Sequence, residues 1–400
     1  MAALNPATVL RRAAELEVHV TAAGDVLVAT ERGLVSGGPH CLAILDLFSE
    51  PTTLAQALEA LGERTGGGQD WIDLSAAIVR LAEAGVLLAG DDPEAGRIAR
   101  SSFDSPGPHV AMLEDRARTS AFLAALAEVV RPDDVVVDIG TGTGVLAVGA
   151  ARAGARHVYA IEATPLAQQA RKVVEANGLG DRVTVVQGWS TRVSLPERGT
   201  LAVAEILGSD ALEERALPVL LDARKRLLSP HARLIPSVVR IFGVPVSIPA
   251  ERVDMLAFTP ENTARWSSWY GLELGPLTEY AARLRHRFTA TPEEVQTWTA
   301  LSEPVLLAEL DLAALETPRI EAVASAAATS SGGANGAVGY FEAELSPEVV
   351  ISTDPALDGR PTSWGVPVWV VPEPVELRRG VEFSLEYAYT GGGGRIRLVR

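Results

Sequence analysis

The chain has 400 residues, 47% of them hydrophobic and 22% charged, with a formal net charge of −16 and one cysteine, Cys41. This length predicts two or three domains. The negative charge disfavours nucleic acid as a partner, because phosphate backbones are bound by lysine and arginine. A single cysteine excludes disulfides within the chain and thiolate metal clusters, and no metal site is expected. No apolar run reaches the roughly 18 residues of a membrane helix, and no signal peptide is recognised, so a cytoplasmic protein without a membrane partner is expected.

Residues 1–90 are predicted to form a small separate domain. "HVTAAGDVLVAT" alternates apolar and polar residues around Gly24-Asp25, which indicates a hairpin. "PHCLAILDLF", "TTLAQALEALGERTG" and "WIDLSAAIVRLAEAG" have helical spacing, and the apolar strand "VLL" follows. A hairpin, three helices and a closing strand are the elements of a winged helix. Residues 91–108 are polar and rich in glycine and proline, which predicts a linker.

The rest of the chain has two patterns. Residues 109–236 alternate strands and helices, which predicts a Rossmann-like, doubly wound parallel sheet. Residues 237–400 contain many short strands, which predicts an antiparallel β-barrel, interrupted by helical patterning at about 258–287. The Ala/Ser/Gly-rich segment 325–337 is predicted to be a flexible loop. The expected fold class is therefore α/β plus β.

The strongest motif is "VVVDIGTGTGVLAVGAARAG", in which Asp138 ends a strand and Gly140, Gly142 and Gly144 precede a helix. Glycines at this place let a ligand approach the backbone at the carboxyl edge of the sheet. Glu162 ends the next strand, where a carboxylate can accept both hydroxyls of a ribose. These features resemble motifs I and II of the class I S-adenosylmethionine methyltransferases. A nicotinamide dinucleotide is the alternative cofactor, although its fingerprint is G-x-G-x-x-G.

A narrower resemblance covers residues from about 101 to 400. "AMLEDRART", the glycine motif and "AEILGSDALEERALPVLLDARKRLLSPHARLIP" are similar, in this order, to the protein arginine methyltransferases. The resemblance implies that Glu205 and Glu214 are the two catalytic glutamates of that family's double-E loop. Asp210 and Glu213, the other acids of this segment, are expected to face solvent. It also implies that "RWSSWYGLELGPLTEYAARLR" is an arm through which two copies form a head-to-tail homodimer.

The same resemblance implies a set of residues that bind the cofactor S-adenosyl-L-methionine. Met112 and Arg118 would lie over it, with Arg118 on its methionine carboxylate, and His109 would belong to the same lid helix.

The resemblance further implies that Asp138, Gly140 and Gly142 line this cofactor and that Glu162 binds its ribose. The family's acidic residue for the adenine is replaced by Thr191. Adenine contacts are therefore expected from backbone and small polar groups.

Two departures from the family bear on the substrate. Its N-terminal tyrosines would fall at Ser102 and Pro106, and its barrel motif Thr-His-Trp becomes Thr362-Ser363-Trp364, with Trp364 expected in the barrel core. These changes remove groups that orient a guanidinium in the arginine enzymes. We therefore expect a site for a simpler cationic amine.

Residues 1–90 resemble the PqqD-like winged-helix element that binds leader peptides of ribosomally made peptide natural products. Such domains add the leader to a hairpin edge as an extra strand; an oligomerisation module is the alternative. With the altered pocket, this domain pairing resembles the daptide-type methyltransferases, which implies dimethylation of a primary amine at the C-terminus of a precursor peptide. Two other hypotheses stay open: a protein arginine N-methyltransferase, and a scaffold without catalytic activity.

Overall fold

The computed structural model describes residues 5–13, 16, 18–21, 26–30, 33–62, 68–89, 106–256, 258–283, 287–391 and 393–399. It divides the chain into two units, Met1–Ser105 (unit 1) and Pro106–Arg400 (unit 2). Three predictions lie outside the described residues, either wholly or in large part: the turn at Gly24-Asp25, the position of Ser102, and the linker 91–108.

Unit 1 is built from short strands and three helices among its described residues. In chain order they are β1 (Val9–Arg12), β2 (Val18–Val20), β3 (Val26–Thr30), β4 (Gly33–Ser36), α1 (Cys41–Leu47), β5 (Thr52–Thr53), α2 (Leu54–Gly62), α3 (Gly68–Glu83) and β6 (Leu87–Ala89). The strands form two antiparallel sheets with the orders β5-β1-β6 and β2-β3-β4. The predicted hairpin strands, the helices and the closing strand are confirmed, and β1, β4 and β5 add to them.

The helices of unit 1 enclose an apolar core of their own. Leu74, Ile78 and Leu81 recur at helical spacing along α3, and all three are fully buried. They belong to one cluster with Ile44 and Phe48 from the α1 region. An amphipathic helix buries its apolar stripe in this way, and a separate core is what a compact module needs.

Unit 2 begins with two helices and a five-stranded sheet. The elements are α4 (Pro106–Glu114), α5 (Arg116–Val129), β7 (Val135–Ile139), α6 (Val145–Arg152), β8 (His157–Glu162), α7 (Ala167–Ala176), β9 (Val183–Gln187), β10 (Gly199–Val203), α8 (Ala216–Arg226) and β11 (Leu228–Ile235). The strand order is β11-β10-β7-β8-β9, and each neighbouring pair is parallel. The predicted Rossmann-like sheet is confirmed. Its order reverses between β7 and β10, and ligands of such sheets bind beyond the carboxyl ends of the strands at this point.

The remainder of unit 2 is mainly antiparallel. The elements are β12 (Val238–Ser247), α9 (Ala250–Asp254), α10 (Pro260–Tyr270), α11 (Pro276–Arg283), β13 (Arg287–Ala290), α12 (Pro292–Val295), β14 (Thr299–Ala300), β15 (Val305–Asp311), β16 (Ile320–Ala327), β17 (Gly332–Ser346), β18 (Val349–Ser352), β19 (Val366–Leu377), β20 (Glu382–Tyr389) and β21 (Gly394–Val399). One sheet has the order β13-β19-β17-β12-β14, with β15 on β12 and β18 on β17, and a second has the order β16-β20-β21. Leu385 and Ile396 of the second sheet pack against Gly243 of the first, so the two sheets face each other in a barrel-like arrangement.

The prediction of a flexible loop at residues 325–337 is wrong, because most of this segment belongs to β16 and β17. Its glycines make room for large neighbours. A Cβ at Gly336 would lie 2.4 Å from Ile248, and one at Gly339, just beyond the segment, would lie 2.5 Å from the Trp369 ring. Glycine in a strand often marks such a close approach, so the composition reflects packing.

Helices α10 and α11 confirm the helical patterning expected near 258–287. They and the turn between them expose Trp269, Tyr270, Leu272 and Tyr280, each more than half accessible to solvent. Among the described residues, the structure contains no helix with the length and apolar character needed to cross a membrane.

Candidate functional site

The glycine loop between β7 and α6 forms the floor of the candidate site. Gly140, Gly142 and Gly144 have φ angles of 75°, 54° and 87°, a left-handed region that favours glycine. A Cβ on Gly140 would lie 3.1 Å from Ile206, and one on Gly142 would lie 3.6 Å from His109 Nδ1. The predicted loop glycines therefore lie between groups from two other parts of unit 2.

Two carboxylates flank this loop. Asp138 is buried and accepts a hydrogen bond of 2.5 Å from Thr141 Oγ1. Burial raises the pKa of Asp138 to about 7, opposed by this hydrogen bond and reinforced by the charge of Glu162. Glu162 accepts hydrogen bonds from the backbone N–H of Gly142 at 2.9 Å and of Thr164 at 2.7 Å. The structure thus brings together Asp138, Glu162 and the glycine loop, as predicted.

Helices α4 and α5 lie beside the loop and carry the predicted lid residues. His109, in α4, is buried against Gly142, and Met112 is half-buried. Arg118, in the first turn of α5, donates from Nη2 to the Met112 carbonyl at 3.3 Å and from Nη1 to Glu205 Oε2 at 2.5 Å. Arg118 therefore links the lid helices to the first of the two predicted glutamates.

Asp115, which sequence reasoning did not single out, joins α5 to the barrel. It is the N-cap of α5, and it accepts hydrogen bonds from the backbone N–H groups of Arg118, Thr362 and Ser363 and from Ser363 Oγ, at 2.7–3.0 Å. Burial raises the pKa of Asp115, but these hydrogen bonds outweigh it and hold the pKa below its ordinary value. An aspartate just before a helix is an N-cap signal, so the cap was visible in the sequence, whereas its bonds to Thr362 and Ser363 were not.

Glu205 and Glu214 lie on the acidic loop, defined as residues 204–215 between β10 and α8. Burial raises the pKa of Glu205, against the opposing attraction of Arg118, and the charges of Glu214, Asp115 and Asp138 add to the rise. Burial also raises the pKa of Glu214 to about 7, with a further rise from Glu213 and an opposing effect of Arg118. The two predicted carboxylates are therefore electrostatically coupled in a desolvated place.

The prediction that Asp210 faces solvent is wrong. Its side chain is 1% exposed, and it accepts hydrogen bonds from the backbone N–H of Leu212 at 3.2 Å and of Gly394 at 2.8 Å. Glu213 is exposed, as predicted, yet it pairs with Arg287 at 2.8 Å. The acidic loop therefore has its own anchors in the barrel, and Asp210 and Arg287 were missed because their partners are remote in sequence.

Two further predicted positions are placed by the structure. Trp364 is buried, as expected of barrel core, and its indole N–H donates to the Leu207 carbonyl at 2.7 Å. Thr191 follows β9 and is exposed, while its neighbour Ser190 is buried. A contact of Thr191 with a cofactor stays a prediction.

The polar groups of the site fit the predicted cofactor. Arg118 Nε and Asp138 Oδ1 are buried and have no hydrogen-bond partner within the part of the chain that the structure describes. The first can donate to a carboxylate and the second can accept from an amine, and buried polar atoms of this kind need partners. The methionine part of S-adenosyl-L-methionine carries both a carboxylate and an amine, so it has a suitable group for each of the two atoms.

Comparisons with known families match two parts of unit 2. Residues 115–239 match the family described as ribosomal protein L11 methyltransferase, and residues 252–391 match the arginine methyltransferase oligomerization subdomain.

Comparisons with known proteins cover most of the chain. The probable protein arginine N-methyltransferase 6.1 of Oryza sativa subsp. indica is 30% identical over 327 residues, which cover 73% of this chain and 83% of that protein. Protein arginine N-methyltransferase PRMT10 of Arabidopsis thaliana is 30% identical over 301 residues, which cover 68% and 77%.

Solved structures agree on the fold. The Trypanosoma brucei PRMT1 enzyme-prozyme complex with AdoHcy has a TM-score of 0.64 at 21% identity, and the match covers 75% of this chain and 100% of the Trypanosoma chain. The structure of Arabidopsis thaliana protein arginine methyltransferase 10 has a TM-score of 0.59 at 23% identity, with 74% and 97% coverage.

These relatives correct the expected substrate. They are named for methyl transfer to arginine, so the expectation of a primary amine at the C-terminus of a ribosomally made peptide is wrong. The serine that supported that expectation, Ser363, bonds to Asp115 and leaves both glutamates in place. The loss of the family's histidine therefore does not dismantle the carboxylate pair.

Proposed function

Because this chain belongs to the family of protein arginine N-methyltransferases, we propose that it transfers methyl groups from S-adenosyl-L-methionine to arginine side chains of polypeptides. The observation that carries this proposal is the pair of desolvated carboxylates, Glu205 and Glu214, beside the glycine loop at the end of β7. Paired carboxylates match the fork of N–H donors on a guanidinium.

The methyl donor is assigned to the glycine loop and the lid helices. When bound, S-adenosyl-L-methionine supplies the methyl group: the substrate nitrogen forms the N–C bond while the S–C bond breaks and the sulfur keeps its electron pair. Arg118 Nε would bind the donor's carboxylate, Asp138 Oδ1 would accept from its amine, and Glu162 would accept from the ribose hydroxyls. Gly140 and Gly142 allow this close approach to the backbone.

The lid helix and the end of β9 are assigned to the remaining surface of the donor. His109 and Met112 would cover it from α4, and Thr191 would contact its adenine together with backbone groups.

The two glutamates have different tasks in this proposal. A guanidinium has a pKa above about 12 and is protonated at neutral pH, so one of its protons must leave during the transfer. Glu205 pairs with Arg118 and, in its deprotonated form, accepts from the guanidinium and orients it. Burial raises the pKa of Glu205 to about 8, so this form becomes more populated as the pH rises through neutrality. Glu214, with a pKa of about 7, accepts the proton, because a base works best when its pKa is near the operating pH.

Matched peptides test the proposal. Two basic peptides that differ only in carrying one arginine or one lysine are incubated with the protein and methyl-labelled donor. The arginine peptide alone should be labelled, and Glu214→Gln should abolish the label. Equal labelling of the lysine peptide, or labelling of a terminal amine instead of the arginine, contradicts the proposed substrate.

We also propose that α10 and α11 form the arm of a head-to-tail homodimer. Trp269 and Tyr280 are exposed on these helices, and this segment matches the oligomerization subdomain. Exposed aromatic clusters are typical of docking surfaces. Light scattering should give a dimer for the intact chain and a monomer for the Trp269→Asp/Tyr280→Asp variant; an unchanged mass refutes this arm.

Residues 1–90 are proposed to be a winged-helix, PqqD-like module that captures a polypeptide remote from the methylated arginine. In the described part of unit 1, β2 and β4 each pair on one side only, with β3, and an open edge can accept an added strand. Deletion of residues 1–90 should raise KM for a protein substrate far more than KM for a short peptide. A loss of the dimer without a change in KM favours the alternative of an oligomerisation module.

A further inference from the structure

Arg287, the first residue of β13, contacts the acidic loop although it lies 74 residues from Glu213 in sequence. Its Nη1 and Nη2 donate to the two carboxylate oxygens of Glu213 at 2.8 and 3.2 Å. Nη2 is also 3.7 Å from Asp210 Oδ2. A two-pronged pair of this kind fixes orientation as well as distance.

The same guanidinium is linked to two other barrel strands through a chain of contacts that returns to the acidic loop. It lies over the Trp369 ring of β19, 5.6 Å from the ring centroid. The indole N–H of Trp369 donates to the Gly394 carbonyl at 3.2 Å, and the Gly394 N–H of β21 donates to Asp210 Oδ2 at 2.8 Å. The acidic loop is therefore held by β13, β19 and β21 together.

The acidic loop needs such anchors because two of its residues adopt an energetically unfavourable backbone conformation. Ala211 and Arg215 have φ angles of 68° and 60°, and a left-handed conformation costs roughly 1–2 kcal/mol for a residue with a Cβ. A Cβ on Gly208 would lie 2.5 Å from the Cβ of Glu213, so the two limbs of the loop touch. Glu214 lies between the two strained residues, and its position depends on the contacts that stabilise this conformation.

The charge of Arg287 also affects Glu214, through Glu213. The charged groups that act on Glu214 are Glu213 on its own loop, Glu205 across the loop and Arg118 on α5. Glu213 raises the pKa of Glu214, and Arg287 pairs with Glu213. Loss of Arg287 would leave the Glu213 charge uncompensated beside Glu214.

We propose that Arg287 is a positioning residue of the active site, which holds Glu213 and Asp210 and thereby sets the place of Glu214 for catalysis. Its catalytic part rests on the proposed function. The expected loss in Arg287→Gln is about tenfold in kcat, because small displacements of a catalytic group are costly. The acid limb of the pH profile should also move to higher pH, because the unpaired negative charge of Glu213 raises the pKa of the Glu214 carboxyl.

The experiment compares four full-length variants. They are Arg287→Gln, Arg287→Lys, the double variant Arg287→Gln/Glu213→Gln, and the matched control Arg397→Gln, which breaks another Arg–Glu pair of the barrel, with Glu386 at 2.7 Å. Hydrogen–deuterium exchange of the acidic loop is measured without substrate, and kcat, KM and pH profiles are measured with the arginine peptide.

Arg287→Gln should speed exchange in the acidic loop and lower kcat, with little change in the KM of the methyl donor. Arg287→Lys should recover part of the rate, the double variant should return the acid limb toward its original pH, and Arg397→Gln should match the unsubstituted protein. Unchanged exchange in Arg287→Gln overturns the proposal. The proposal is also overturned if the acid limb of the double variant's pH profile stays at the shifted pH found for Arg287→Gln. If Arg287→Gln fails to fold, exchange of the acidic loop is compared between Arg287→Lys and the unsubstituted protein. Faster exchange in Arg287→Lys supports the proposal, and unchanged exchange overturns it. Faster exchange in a protein that methylates no arginine would refute the proposed function and leave the structural role of Arg287 standing.

Discussion

The proposed base, Glu214, predicts a specific pH dependence of the reaction. Its pKa is about 7, and a base acts in its deprotonated form. About a tenth of the molecules are deprotonated one pH unit below the pKa and about nine-tenths one unit above it. The value of kcat/KM should therefore rise at least tenfold from pH 6 to pH 8. It should continue to rise toward about pH 9, because Glu205, whose pKa is raised to about 8, must also be deprotonated. Initial rates at subsaturating arginine peptide and constant ionic strength measure this directly.

The rise near pH 7 belongs to Glu214 and not to two other titratable groups of the complex. The substrate guanidinium does not titrate in this range, because its pKa lies above about 12. Asp138 also has a pKa of about 7, so Asp138→Asn is examined in parallel and should keep the limb at the same pH. A profile that is flat between pH 6 and pH 8, or a limb that vanishes in Asp138→Asn, would refute the assignment of Glu214.

Further predictions concern the neighbouring residues. Glu205→Gln should lower kcat by about 10²–10³, and calorimetry should find its affinity for the demethylated donor unchanged; full activity would sink the role of Glu205. Gly140→Ala should weaken donor binding about tenfold. The loop of this variant relaxes from a left-handed backbone that costs about 1–2 kcal/mol with a Cβ, and it must regain that conformation to bind the donor; unaltered binding would count against the glycine loop as the donor site. Asp115→Ala should lower the unfolding free energy by about 2–3 kcal/mol and Ser363→Ala by about 1 kcal/mol in urea titrations. Because its folded pKa is lowered, the Asp115 contribution should be complete above about pH 4 and fade as the pH falls; a difference that persists in acid would contradict it.

Local patterns were enough to predict the sheet and its acidic residues. Glu162 ends β8 and Asp138 lies near the end of β7, as expected, because apolar strand runs and glycine turns are features of consecutive residues. The burial of Asp210 could not be predicted in this way, since it depends on Gly394, 184 residues away. The first part of the strand at residues 332–346, up to residue 337, was also missed, because the glycines of this strand make room for Ile248 and Trp369.

The substrate was the part that the motif residues could not decide. Glu205 and Glu214 keep the same spacing whether the cation between them is a guanidinium or a simple amine. The change at Ser363 was interpreted as a change of substrate, whereas the structure shows this serine bonded to Asp115. The relatives that match most of the chain are named for arginine, and the contact of Ser363 with Asp115 removes the reason for expecting a simpler amine.

Tandem mass spectrometry of a methylated product identifies the nitrogen that receives the methyl group. The protein is incubated with isotopically labelled methyl donor and a polypeptide that contains arginine, lysine and a free terminal amine. Fragment ions should place one or two labelled methyl groups on guanidinium nitrogens, and no label should be found when Glu214→Gln replaces the unsubstituted protein. Labelled methyl groups on the terminal amine or on lysine, with none on arginine, would contradict it.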